Sequence, residues 1–209
     1  MNHRLFRAAS AVLLSAVLCG TALTATGCAD ASSREKNTVS VYTPFVPENK
    51  VDENTPGAVT AAGIGETVSF QDKVTATLTR VVELDTYSTT SNRTLLAELT
   101  ITNNTDKALD CSWLAHFSAI CNDKADDEIV HNVTAQIYAR KYYTATQSPM
   151  EALYQAIEPG QSLTGYVCMT VPTAWNSLIL RYIPYKYYSN DSVDFTIDES
   201  KLTHFTDRL

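Results

Sequence analysis

Positive charge is scarce in this chain. Against 23 acidic residues stand 16 basic ones, a net charge of −7 over 209 residues. Two of the basic residues and none of the acidic ones fall within 1–27, so residues 28–209 hold 14 basic against 23 acidic, a net −9. Nucleic-acid affinity rests mainly on Lys and Arg against phosphates, so a nucleic-acid partner is excluded, and broad adhesion to anionic lipid is disfavoured. A long apolar run is missing too. Residues 8–25 make a stretch of 18 with Ser, Thr and Gly in it, short of the about 20 predominantly apolar residues of a spanning helix. Histidine is rare: beyond the first few residues there are only His116, His131 and His204. No G-x-S-x-G elbow is present for a serine nucleophile. No C-x-x-C and no Cys/His set with zinc spacing occurs. His116 has the opposite strand parity to Cys111 and Cys121, which argues against a Cys–His pair. The acidic run at Asp123, Asp126, Asp127 and Glu128 lacks the spacing of a calcium loop and reads as a solvated turn. The sequence thus predicts no enzyme, no metal and no cofactor, and it shows no internal repeat.

What is present begins at the N-terminus. Arg4 and Arg7 precede an apolar core and a run of small residues ending in Thr26-Gly27-Cys28. That is the layout of a secretory signal peptide over 1–27. The small residues leading into Cys28 resemble a bacterial lipobox, which implies that Cys28 is acylated and holds the chain on the extracytoplasmic face of a cell membrane. The competing reading is cleavage after Ala31, within Ala29-Asp30-Ala31, which would release a freely secreted domain. The next stretch, 28–63, is rich in Ser, Thr, Asn, Glu and Ala and carries Pro44, Pro47 and Pro56. It reads as a flexible tether, spanning roughly 30–35 Å root-mean-square.

From Gly65 the pattern repeats every two residues. Residues 67–70, 74–81 and 95–102 alternate apolar with polar, as half-buried strands do. Residues 109–121 read as a long strand or a bent pair with Cys111, Trp113, Ala115, Phe117, Ala119 and Cys121 on one face. A weaker strand is expected at 133–138, and further ones at 162–171, 178–183 and 193–197. One helix is expected over 148–157, where Ser148, Pro149 and Glu151 look like a cap, a first-turn proline and a capping box. With 44% hydrophobic residues the chain can fill a core. The expected fold is all-β: an antiparallel sandwich of about 7–8 strands over 64–199, with one short helix in an insertion at 133–157 and a C-terminal tail at 200–209.

Two motifs carry a resemblance. Asn103-Asn104-Thr105-Asp106-Lys107 closes one strand, and Pro159-Gly160-Gln161-Ser162-Leu163-Thr164-Gly165 opens another. In this order, followed by 178–184, they resemble the Ig-like domains of bacterial surface lipoproteins, a family similar to a small secreted mycobacterial immunogen. The resemblance covers about 64–198. It implies an Ig-like fold and brings no catalytic motif; the insertion at 133–157 departs from the plainest members.

In an exported chain Cys111, Cys121 and Cys168 suggest one disulfide and one thiol. Three pairings are open, and three buried apolar thiols are the alternative. Tyrosine is the notable excess: nine of eleven lie between 138 and 188. Tyr offers rigid apolar area with a polar tip, so Tyr142, Tyr143, Tyr185, Tyr187 and Tyr188 are the candidate binding surface. The Asn-x-Ser/Thr triplets at Asn92, Asn103, Asn132 and Asn190 read as turn composition. The functional expectation is an envelope lipoprotein that binds a protein or glycan partner. An accessory subunit that makes its contact through 133–157 is the alternative, and an enzyme of unrecognised type is a third.

Overall fold

The computed structural model describes residues 50–52, 54–148 and 150–207. The signal peptide, Cys28 and most of the expected tether lie outside the described residues. The alternating segments are strands: β1 (Val59–Gly63), β2 (Thr67–Phe70), β3 (Val74–Leu84), β4 (Asn92–Asn103), β5 (Leu109–Ser112), β6 (Phe117–Cys121), β7 (Lys124–Ala125), β8 (Tyr154–Ile157), β9 (Ser162–Pro172), β10 (Leu178–Tyr182), β11 (Ser192–Thr196) and β12 (Thr203–Phe205). One sheet runs β1-β11-β10-β6-β7, and a second runs β12-β3-β4-β9 with β2 on β3. A two-stranded piece, β5-β8, stands apart.

The two large sheets face each other across one core, a β-sandwich. Leu95, Ala97, Leu99 and Ile101 of β4 point inward against Phe117, Ala119, Leu180 and Phe195 of the opposing sheet. Each such side chain, removed from water, contributes roughly 1.5–3 kcal/mol. The even-numbered residues of β4 and β9 face the other way. There Leu96, Tyr166 and Cys168 are covered by a helix, α1 (Val133–Ala145), through Ala135, Ala139, Tyr142 and Tyr143. A bulge between Leu78 and Arg80 inverts the alternation of β3, so Val81 stays in the inter-sheet core while Val82 joins the helix layer. Where the helix does not reach, the outer face of β3, β4 and β9 is polar. Thr67–Thr77, Thr100–Thr164 and Thr102–Ser162 pair their hydroxyls across strands at 2.8, 2.9 and 2.8 Å.

The helix is displaced from its expected place. Residues 133–138, expected as a strand, begin α1, and 154–157, expected as helix, form β8. Asn132 caps α1: its Oδ1 accepts the N–H groups of Thr134 and Ala135 at 2.9 and 3.2 Å, satisfying donors the helix leaves unpaired. The end is a Schellman closure, with Ser148 N–H donating to Tyr143 O at 3.2 Å and Gln147 N–H to Thr144 O at 3.3 Å. Gln147 takes φ = 53° there, a position that favours glycine. The capping-box signal fails because 151–153 is drawn onto β9: Tyr166 N–H donates to Glu151 O and Leu153 N–H to Tyr166 O. Leu153 is fully buried.

Three further differences concern edges. The expected tether reaches 63, but β1 is already a strand, parallel to β11. The expected tail contains β12, parallel to β3, so neither sheet is purely antiparallel. Residues 109–121 are the bent pair: Ala115 and His116 both donate to Ser112 O in a tight turn, and β5 and β6 enter different sheets.

Candidate functional site

Both family-like motifs build one end of the sandwich. Asn103 is fully buried at the end of β4. Its Nδ2 donates to Lys107 O at 2.7 Å and Ile157 O at 2.8 Å, while its Oδ1 accepts from the N–H and hydroxyl of Thr105. One side chain thus shapes the 104–107 turn and ties it to β8. Asn104 is exposed; its N–H donates to Lys73 O at 2.8 Å and its Nδ2 to Thr75 Oγ1 at 2.9 Å, which fastens the turn to the β2–β3 hairpin. In the second motif the Gln161 N–H to Glu158 O bond closes a turn with Pro159 and Gly160 (φ = 71°) at its centre. Gly165 is required by packing, since a Cβ there would stand 2.7 Å from Leu153 Cδ2 and 2.8 Å from Glu151 O.

An open groove of about 980 Å³ lies between three loops at this end. One wall is Gln71 and Lys73 of the β2–β3 hairpin; the second is 105–110; the third is 184–189, between β10 and β11. Gln71 and Asp72 both have positive φ, 50° and 56°, as the tight twisted hairpin turn demands. The third wall is a helical turn in which Tyr188 and Ser189 N–H groups share Tyr185 O. It is braced from outside: Val51 N–H donates to Tyr187 O at 2.9 Å, and Asn190 Nδ2 bonds Asp52 O and Thr55 O at 2.7 Å each. Asp191 links it to the hairpin by accepting from Gln71 Nε2 at 3.0 Å and from Ala58 N–H at 2.7 Å.

The tyrosine set divides here. Tyr185, Tyr187 and Tyr188 line the groove. Tyr188 is 65% exposed, and the Tyr185 ring packs 6.1 Å from Phe70. Tyr142 and Tyr143 do not belong to a surface; both are buried beneath α1. Neighbouring helical residues are about 100° apart, and both rings of the doublet reach the sheet. Tyr143 OH donates to Glu98 Oε1 at 3.0 Å, and Glu98 also takes Arg80 Nε and Nη2 at 2.7 and 2.8 Å. Tyr142 packs edge-on against Phe205 of β12.

His116 sits where the groove meets the core and was not among the expected site residues. It is 2% exposed, and its Nδ1 accepts the Ser112 N–H at 3.2 Å. Burial is the main cause that lowers its pKa from 6.5 to about 4; Asp110 opposes and Lys186 reinforces the shift. The ring is therefore neutral at pH 7, with its proton on Nε2, and it meets Tyr187 edge-on at 6.1 Å.

The cysteines are three separate thiols in the structure, not a disulfide and a remainder. Cys168 faces α1, on the opposite side of its sheet from Cys111 and Cys121. Cys111 pairs with Gln155 in the small sheet, and Cys121 lies beside Leu178 in a large one. Burial raises all three pKa values, Cys111 to about 12, so none is a nucleophile at neutral pH. At the β3–β12 edge Glu83, Asp85 and His204 approach one another. Arg93 takes both Glu83 oxygens, reaches Glu199 and lies 4.3 Å over Trp175. That cluster fastens the C-terminal strand.

No family model matches the chain, and no curated protein matches it. Among solved structures it is similar to the ycdA protein of Bacillus subtilis, described as a candidate lipoprotein (16% identity, 62% of this chain and 38% of that one, TM-score 0.43). It is also similar to the yjhA protein of the same species (12%, 65% and 99%, 0.44) and to an uncharacterised β-sandwich protein of Clostridium difficile (14%, 70% and 99%, 0.37). The chain spans 38% of the first of these. Among the described residues no helix is long and apolar enough to cross a membrane.

Proposed function

We propose that this is a cell-envelope lipoprotein, held through Cys28, whose sandwich binds a protein or glycan partner in the groove. The observation that carries the reading is the convergence of Tyr185, Tyr187 and Tyr188 on one concave surface built from three loops. Binding residues gather on loops that a rigid scaffold positions, and exposed aromatic rings supply contact area with few rotatable bonds. The test is retention of envelope protein and glycan fractions on the immobilised protein. Tyr187→Ala/Tyr188→Ala should abolish retention while the unfolding temperature is unchanged; equal retention by the variant would sink the reading. The anchor is tested by the intact mass of protein from the membrane fraction, expected at residues 28–209 plus acyl chains.

A second reading is favoured by Val133 and Ile137, which are 69% and 51% exposed one helical turn apart on α1. They suit contact with another subunit. Val133→Ser/Ile137→Ser should then reduce co-purification of that subunit, and undiminished co-purification would argue against it.

A further inference from the structure

We propose that the groove takes an acidic sugar chain, with its rings against Tyr187 and Tyr188 and its acidic groups against Lys73, Lys107 and Lys186. This rests on the groove being the binding surface.

The charge distribution points to it. The chain is acidic overall, at −7, and three of the four described arginines are held in ion pairs. Arg80 is held by Glu98, Arg93 by Glu83 and Glu199, and Arg181 by both oxygens of Asp194 at 2.7 Å. Lys73, Lys107 and Lys186 come from three different loops to a single concavity, and none of them makes an ion pair with another described residue. Cations left unneutralised at one place on an acidic protein mark where an anion is received.

The rest of the lining selects the kind of anion. Asp106 and Asp110 share the second wall, so the local excess of positive charge is small. A dense polyanion would meet those carboxylates at a cost; a sugar chain with an acid on some units would use Asp106 as an acceptor for its hydroxyls. Gln71, Thr105 and Ser189 add further donors and acceptors. An apolar peptide would leave these groups unpaired, which weakens binding. The groove is open and bounded by loops on three sides, which suits an extended chain more than a compact cofactor. Tyr188 is 65% exposed, and Tyr187 precedes it in the same helical turn. Tyrosine faces are flat and amphipathic, matching the face of a pyranose ring.

The experiment is titration calorimetry on the processed full chain in detergent, at 50 and 300 mM NaCl. The probes are pentagalacturonate, a phosphorylated maltopentaose and plain maltopentaose. At least one acidic probe is expected to bind at least tenfold more tightly than maltopentaose and to weaken several-fold at the higher salt. Exposed charge contacts of this kind carry about two- to fivefold each, so Lys73→Gln/Lys107→Gln/Lys186→Gln should lose on the order of 10- to 100-fold. Tyr187→Ala/Tyr188→Ala should lose binding as well. If the tyrosine variant loses binding and the lysine variant does not, or if the neutral probe binds equally, the acidic class is wrong and the groove stands. If an acidic probe binds and neither variant matters, both readings fall. If neither acidic probe binds, the sugar chain is overturned; lysine-dependent binding to phosphatidylglycerol vesicles would then assign the lysines to a lipid surface.

Discussion

His116 is enclosed by the 112–116 turn, by β10 and by Tyr187, and it enters the fold as the neutral imidazole. Its pKa is about 4 in the folded protein against an ordinary 6.5, chiefly because burial penalises the charged ring. The sign follows from proton binding. Between pH 6.5 and 4 the unfolded chain holds the extra proton and the folded one does not, so stability falls as the pH falls through that window and levels off below it. At 1.36 kcal/mol per pH unit, the loss from pH 7 to 4.5 is about 2 kcal/mol, rising to about 3 kcal/mol below pH 4. Carboxylates add to acid lability at lower pH. Asp52 and Asp198, whose carboxyls are held below 3.8 by hydrogen bonds to Asn54 and Ser200, lose their contribution as the pH falls through and below that value. At pH 4.5 these two carboxyls are still largely ionised, and comparison with a variant at His116 cancels the groups that both proteins share. Urea unfolding at pH 7.0 and 4.5 on the native chain and on His116→Asn gives the comparison, because the Asn Oδ1 can still accept the Ser112 N–H. The variant should be less stable at pH 7 but should lose about 2 kcal/mol less on acidification. Equal losses in the two proteins, or a His116 ring resonance titrating near 6.5 in the folded state, would refute the argument.

Three other outcomes follow from local geometry. Gln147→Gly should raise stability by about 0.5–1 kcal/mol, read as a higher unfolding temperature, because the left-handed backbone at this helix end favours glycine. Gly165→Ala should cost about 1–3 kcal/mol by denaturant unfolding, since the added methyl meets Glu151 O and Leu153 at under 3 Å. An unchanged midpoint would mean that 151–153 does not lie against β9. Iodoacetamide at pH 8 should leave Cys111 and Cys168 unlabelled in the native protein and label all three thiols in 6 M urea; rapid native labelling of Cys168 would contradict its place beneath α1.

Strands were legible where one face is buried and the other is not. Residues 74–78 and 99–102 alternate because there the core is on one side of their sheet, and the two turn motifs were legible because Asn103, Pro159 and Gly160 act on neighbours a few residues away. The helix was not. Its buried stripe is Ala135, Gln136, Ala139, Tyr142 and Tyr143, in which two members are small, one is polar and two are aromatic residues that also suit strands. The side it shows to solvent carries Val133 and Ile137, so the apolar periodicity was blurred from both faces. The Ser148–Glu151 signal failed for the opposite reason: a good local cap lost to long-range pairing of 151–153 with Tyr166. Parity counting through 109–121 takes no account of the 112–116 turn, which sends β5 and β6 into different sheets. Strands β1 and β12 escaped notice because each gains its hydrogen bonds from a partner more than 100 residues away.

The groove shows the same division more sharply. The tyrosines of 184–189 were visible as a cluster because they are contiguous in sequence, but the same rule also drew in Tyr142 and Tyr143, which a helix turns inward. Lys73, Lys107 and Lys186 are far apart in the chain and individually unremarkable. They come together because β3 begins, β4 ends and β10 ends at the same edge of the sandwich, and because Asn104 and Asp191 fasten one loop to the next. An acidic composition disfavours broad attraction for anions. It could not say that Arg80, Arg93 and Arg181 would enter ion pairs within the fold while three lysines stand at one rim. A net charge describes a protein at distances beyond a Debye length, about 8–10 Å at physiological salt, whereas a ligand lying in the groove meets only the charges within reach of it.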